Sequence, residues 1–357
     1  MNIQTLADLQ NHVQWAIEIE HATIPPYLCA LYSLNAQDTN NFDAMSLIQD
    51  VVVDEMLHLA LGCNLLNAIG GSPTFNNPSF IPKYPSSLPH HSPQPPLIIH
   101  LEKCSVDLVK NTFLEIEKPE PTVHDIPEGD NYMTIGQFYA AVSQGFVNLN
   151  KSLGPTGLFK GDTSKQATQI LRVSGGPHGN LIKVVDLSSA QQAITEIVQQ
   201  GEGSPQTMMD PDGDLAHYWE FKEIADGTVA LGQVYPMIQD PTTAGLPAGS
   251  PVQKLSQLFN DCYSLLLRTM THVFNTGDNS PLVDALYILM RQILPLLATL
   301  LMQTPIPNKH GNAGSSFEFS TTAQRQIIQN SKALEKTFPQ LSDVSASLMS
   351  LPAIDGK

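Results

Sequence analysis

The segment VVVDEMLHLALGCNLLNAIGG, residues 51–71, constrains the fold more than any other stretch of the chain. Its apolar spacing predicts a long buried helix from about Asn41 to Ile69, stopped by Gly70 and Gly71. Val51, Glu55, His58, Gly62 and Leu65 fall on one stripe of that helix. A carboxylate and an imidazole therefore sit one turn apart on the side that should enter a core. Burying an unpaired carboxylate is costly, so this pair requires a partner. Two readings are open: a satisfied ion pair or hydrogen-bonded cluster, or the holding of a metal ion.

A preceding helix repeats the anomaly. Residues 4–34 place Leu6, Leu9, Val13, Ile17, Glu20, Ile24, Leu28 and Leu31 on one stripe, with Glu20 the carboxylate among apolar neighbours. Pro25 and Pro26 should kink or divide this helix, because proline removes a donor and clashes with the previous turn. Glu18 and His21 lie off the stripe; His21 is a candidate to orient a carboxylate. The two helices should pair antiparallel through the short loop NAQDTNN.

Further helices are expected over 105–117, 134–152, 186–200, 252–275, 281–303 and 321–336, with DLAHYWEFKEI (214–224) helical as well. Residues 72–103 and 118–133 are Pro-rich and read as ordered excursions. Pieces such as PPLIIHL (95–101) leave room for one or two short strands. The fold expected is all-α: one helical domain over 1–320 and a C-terminal helix with an irregular tail over 321–357.

In the later half, Ala190, Ile194 and Val198 define a stripe that Glu202 continues, and His217 shares a face with Phe221 and Ile224. Helical proteins that hold two metals take one Glu from each of two helices and a Glu-x-x-His pair from each of two others. Residues three apart share a helix face, so one turn can offer oxygen and nitrogen to the same ion. Glu202 and His217 are candidates for the last pair, separated by a loop; the alternative makes Glu202 a helix-end charge and His217 a core histidine.

Charge and motifs narrow the rest. With 18 Lys and Arg against 34 Asp and Glu, the formal charge is −16, a poor match to nucleic acid or to anionic membranes. Segment 282–302 is very apolar but carries Asp284, Arg291 and Pro295, which favours a buried helix over a membrane span. Cys29, Cys63, Cys104 and Cys262 stand alone and read as packing, and with no basic, apolar leader at the N-terminus a cytoplasmic location is expected. No P-loop, G-x-G-x-x-G or G-x-S-x-G motif occurs, and His90-His91 lies in a Pro-rich loop too irregular to use.

The motifs AIEIEHATIPPYLCALYSL, DEMLHLALGCNLLNAIGGSP, TIGQFYAAV, GLFKGDTSKQ, IVQQGEGSP and HYWEFKEI, in that order, resemble the ferritin-like domain of the iminophenyl-pyruvate dimer synthase family. The resemblance runs from residue 5 to about 320 and implies a ferritin-like bundle with extra C-terminal helices. It also implies a carboxylate/histidine metal site, carried here by Glu20, Glu55, His58, Glu202 and His217, with one or two iron ions as cofactor. Where the family commonly reads TIGEFY, this chain has Gln137, so a weakened, mononuclear or lost site is an alternative.

The function expected is a non-haem iron oxidoreductase using O2 on a small, amino-acid-derived substrate, with homo-oligomers an open expectation. Tyr27, Tyr139 and Tyr218 are candidates to line the pocket or relay electrons, against a plain role as core aromatics. The competing readings are a metal-binding protein without turnover and a partner-binding bundle whose site has decayed.

Overall fold

A computed structural model describes residues 3–90, 95–119, 132–168, 181–201, 208–209, 215–277 and 280–355. The layout is set by two long helices, α1 (Leu6–Ser33) and α2 (Phe42–Ala68). Helix α1 begins at Thr5, whose hydroxyl accepts from Asp8 N while the Asp8 carboxylate accepts from Thr5 N. This reciprocal cap satisfies two donors that a helix start leaves open. The helices approach closely where α2 has Gly62; a Cβ there would stand 3.0 Å from Ile17 Cγ1. At the far end Gly70 takes φ +77°, and Gly71 N closes the last turn on Leu66 O.

Of the two outcomes expected at Pro25-Pro26, a kink or a division, division does not occur: α1 runs through both prolines as one helix. Pro26 cannot donate to the Ala22 carbonyl, and Tyr84 Oη donates to it instead, at 2.7 Å. Tyr84 belongs to the 72–103 excursion, whose Phe75, Phe80, Leu88 and Ile99 are themselves buried. The excursion is thus part of the core and repairs the helix it crosses.

On one side of the α1/α2 pair lie α3, α4 (Ile135–Leu153), α5 (Leu187–Gly201) and α6 (His217–Ala225). Helix α3 comprises Val106–Leu108, a π turn Val109–Phe113 and Leu114–Ile116. On the other side lie α7 (Pro251–Thr276) and α8, which comprises Ser280–Ile288, a π turn Leu289–Ile293 and Leu294–Gln303. Helix α5 starts where Asp186 Oδ1 accepts from Ser189 N. Its buried stripe is Ala190, Ala193, Ile194, Ile197 and Gln200; Val198 is half-buried, which corrects the predicted register.

The C-terminal part is more regular than expected. Helix α9 (Gln324–Leu334) packs on α7, and α10 (Leu341–Ser350) on the π turn of α8, where the sequence had suggested an irregular tail. Four serines weaken the apolar signal of α10, but Ser345 is buried against Ser331 (Oγ–Oγ 2.8 Å), so each hydroxyl satisfies the other. Arg268 binds Asp355 at 2.8 Å and ties the end of the chain to α7.

No strand forms among the described residues; the place left for one gives a single antiparallel bridge, Ser86 with Ile99. Two helical stretches, Thr39–Ala68 and Pro281–Gln303, are long and apolar enough to cross a membrane, and their apolar windows are 89% and 56% buried within the fold. Both serve as core helices here. The four cysteines are buried, and burial pushes the Cys104 thiol up to about 12.

Candidate metal centre

Five side chains from four elements meet between α1, α2, α3 and α6. Helix α1 brings Glu20, α2 brings Glu55 and His58, the residue closing α3 is Glu117, and α6 opens with His217. All five are buried, none more than 5% exposed. They form two overlapping groups, Glu20/Glu55/His58 and Glu55/Glu117/His217, and within each the ligand atoms lie within 4.8 Å of one another. Glu55 is common to both. A carboxylate shared in this way would be available to a cation held by either group.

The imidazoles are set alike. Both turn Nδ1 toward the carboxylates: His58 Nδ1 is 3.4 Å from Glu20 Oε2, and His217 Nδ1 is 3.2 Å from Glu55 Oε1 and 3.5 Å from Glu117 Oε2. Their outer nitrogens meet polar groups, His58 Nε2 donating to Gln200 Oε1 at 3.0 Å and His217 Nε2 facing Asp54 Oδ2 at 3.5 Å. An acceptor behind the outer nitrogen favours a proton there and a free lone pair on Nδ1, as a metal-bound imidazole needs. The rings themselves lie 5.5 Å apart, nearly parallel.

Each carboxylate also accepts one hydroxyl. Tyr139 donates to Glu20 Oε1, Tyr27 to Glu117 Oε1, and Thr23 to Glu55 Oε2 at 2.6 Å. These bonds occupy one oxygen of each pair, and the other oxygen faces an imidazole. Neither ring nitrogen of His217 has good hydrogen-bond geometry, although carboxylate oxygens stand 3.2–3.5 Å away. Such spacing suits ligands around a common ion better than donors meeting acceptors.

Electrostatics point the same way. Three carboxylates share a small volume, and no Lys or Arg pairs with them among the described residues. Burial pushes the Glu55 carboxyl up to about 7, with Glu117 and Glu20 adding to it against the opposing contact from His217. Burial lowers the His217 imidazole, but Asp54, Glu117 and Glu55 outweigh this and hold it well above its usual value. The His58 imidazole is likewise raised, Glu20 outweighing burial. Without a cation, protons held among these groups supply the balancing charge, and a divalent ion can replace them. The donor set of three carboxylates and two imidazoles fits iron or a similar cation.

The structure therefore brings together Glu20, Glu55, His58 and His217 of the residues expected from sequence. Glu202 lies outside the described residues. Gln137 is not in the cluster: half-buried at the start of α4, it accepts from Met133 N while its own N–H donates to Thr134 Oγ1. From the same motif it is Tyr139, one half-turn on, that faces inward. His21 does not orient a carboxylate; it is bonded to Tyr263 on the opposite side of α1, and burial pushes its pKa down to about 3. Glu18 pairs with His90 at 2.7 Å, and Tyr218 packs edge-on against Trp219.

Sequence reasoning missed Glu117 and Gln200. Glu117 is the last residue of the helix expected over 105–117 and continues the Val109–Phe113 stripe at the next step of four, but the shortness of that helix and the Pro-rich stretch beside it hide the pattern.

The ferritin-like family model matches residues 13–226. Dichlorochromopyrrolate synthase of Lentzea aerocolonigenes is 26% identical over 375 residues, an alignment covering 88% of this chain and 36% of that protein. The chain thus spans little more than a third of that relative. A solved ferritin-like protein from Caulobacter vibrioides is 27% identical, with a TM-score of 0.65 over 88% of this chain and 99% of its own. The family match covers more than half of the chain and takes in every element that lends a side chain to the cluster, so the chain belongs to the ferritin-like family.

Proposed function

We propose that this chain is a non-haem, two-iron carboxylate oxidoreductase that uses O2 to oxidise a small, amino-acid-derived substrate. The observation that carries the reading is the pair of buried Glu/Glu/His groups sharing Glu55. The likeness to dichlorochromopyrrolate synthase supports oxidative chemistry on amino-acid-derived material.

In this reading Glu20 and His58 hold one position, Glu117 and His217 the other, and Glu55 spans both. Bound iron supplies electron exchange with O2, chemistry that no side chain here can provide alone. The balance for a two-electron oxidation is that the substrate loses two electrons and two protons and O2 gains both as hydrogen peroxide. Gln200 and Asp54 hold the imidazoles with Nδ1 inward. Tyr27, Tyr139 and Thr23 hold the carboxylates against rotation, and burial with the nearby Glu117 carboxylate keeps the Tyr27 hydroxyl protonated. Ile19, Ile135, Ile197 and Val198 line the same cavity and limit water.

The test is the metal content of protein from iron-supplemented cells, beside a Glu55→Ala/His58→Ala variant, followed by O2 consumption with aromatic 2-oxo acids and their imines. Two irons per chain, lost in the variant, with substrate-dependent O2 uptake, is the expected result. Bound iron without uptake would leave a metal-binding protein; no iron above the variant's level would end the proposal.

A further inference from the structure

Across the α1/α2 pair from the carboxylate cluster, the fold leaves a second cavity. The cluster takes Glu20, Thr23 and Tyr27 from α1 and Glu55 and His58 from α2. The cavity takes Ile24, Leu28 and Tyr32 from α1 and Met56, Leu59 and Ala60 from α2. At 100° per residue these sets lie about a third of a turn apart on both helices, so the two sites are separated by the helix pair itself. Helices α7 and α8 close the cavity with Tyr263, Leu267, Met270 and Met290.

About 740 Å³ of space, open solvent at its mouth included, lies against these residues, none of which is exposed. Its wall is almost wholly apolar, and three thioethers, Met56, Met270 and Met290, let it adapt to its contents. One polar atom is left over: His21 is 3% exposed and lines the chamber, its Nε2 bonded to Tyr263, while its Nδ1 has no partner. Through Leu28, Tyr32, Met56 and Met290 the chamber continues into a groove whose rim includes exposed Gln49 and Arg291.

Arg291 is the one charged residue lining that groove, in a chain where acidic residues outnumber basic ones by 34 to 18. It makes no ion pair among the described residues. The π turn Leu289–Ile293 carries both Met290 and Arg291. A π turn is rare and often marks a functional site, and the other one among the described residues leads into Glu117.

We propose that this chamber and groove form a binding site for an apolar carboxylate, with the apolar body inside and the carboxylate at Arg291. An apolar body removes the chamber wall from water, and the guanidinium offers a two-pronged match to a carboxylate at the rim. The site does not depend on the metal reading.

The test is calorimetric titration of the purified chain with decanoate, indole-3-propanoate and decanol, for the wild type, Arg291→Gln and Ala60→Trp. One or both acids should bind at a single site, about tenfold more weakly in Arg291→Gln and undetectably in Ala60→Trp, whose indole fills the chamber. Decanol should bind without regard to Arg291, and metal content should stay at the wild-type level in both variants. The stronger acid identifies whether the body is a chain or an aromatic ring. Should Ala60→Trp fail to fold by circular dichroism, Met290→Trp at the half-buried rim replaces it. The proposal is overturned if neither acid binds the wild type, if Arg291→Gln binds both acids as the wild type does, or if the folded indole variant still binds them.

Discussion

Tyr139 is one residue in a nineteen-residue helix, yet its hydroxyl decides how Glu20 is held. Tyr139→Phe leaves a buried carboxylate oxygen without its donor, which should cost the metal-free protein about 1–3 kcal/mol. Urea unfolding of chelator-treated protein measures this, and the loss should shrink once metal is bound, because the ion takes over the charge. The protonation of Glu55 gives a second expectation at this scale. Its carboxyl, at about 7 in the fold against 4.5 for the free group, binds its proton more tightly when folded. Its contribution to the stability of the metal-free protein is therefore present at acid pH and lost as pH rises from 4.5 through about 7. His217, also raised, acts in the same direction over a higher range. Metal affinity has the opposite sign, since ligands must release protons to bind: it should climb about tenfold per pH unit for each proton released, up to neutrality and beyond. Competition with a chromophoric chelator across that range checks it, and a flat profile would mean that Glu55 carries no proton to displace. At this scale Glu20, Glu55 and His58 were legible because each breaks an apolar stripe. Glu117 was not, because a proline-rich sequence begins beside it and its helix is short.

The π turn Val109–Phe113 makes an element-scale prediction. It adds one residue to a turn, so removing exposed Asn111 should restore α geometry with the later residues of α3 facing as they do now, whereas inserting one alanine after Glu115 should rotate Glu117 by about 100° out of the cluster. The deletion variant should bind as much metal as the wild type and the insertion variant about half, since Glu20, Glu55 and His58 are untouched in both. Plasma mass spectrometry of the purified proteins gives the ratios, and an unchanged ratio in the insertion variant would show that the facing of Glu117 does not matter to metal binding. Elements of strong 3.6-residue period, α1, α2, α4 and α7, stand in the sequence almost with their ends. The π turns do not, because an extra residue in one turn leaves the apolar count unchanged while shifting every later side chain. Pro25-Pro26 shows the reverse: a strong local signal for a break was overridden by Tyr84, sixty-two residues away from the carbonyl it serves.

For the whole molecule, metal binding should appear as stability. A cation that binds only the folded chain adds about 2.7 kcal/mol per site at a hundredfold excess over Kd. Calorimetric melting with ferrous iron and with chelator should differ accordingly, and the difference should vanish in Glu55→Ala/His58→Ala. Equal melting of the two wild-type samples would argue that the cluster is satisfied by protons alone. The sequence by itself determined the helical class and the two central helices, and it marked Glu20, Glu55, His58 and His217 as residues that need polar partners inside. Periodicity carries that information because it is local: a helix must bury one face, and a charge on that face is conspicuous. Only the tertiary structure decided that Glu117 rather than Gln137 joins the cluster of described residues, that Gln200 and Asp54 stand behind the imidazoles, and that a second cavity opens across the same helix pair. Those contacts join residues up to 160 or more positions apart, as with Asp54 and His217. No repeating pattern along the chain encodes which distant side chain arrives at a given space, because packing of the whole core sets it.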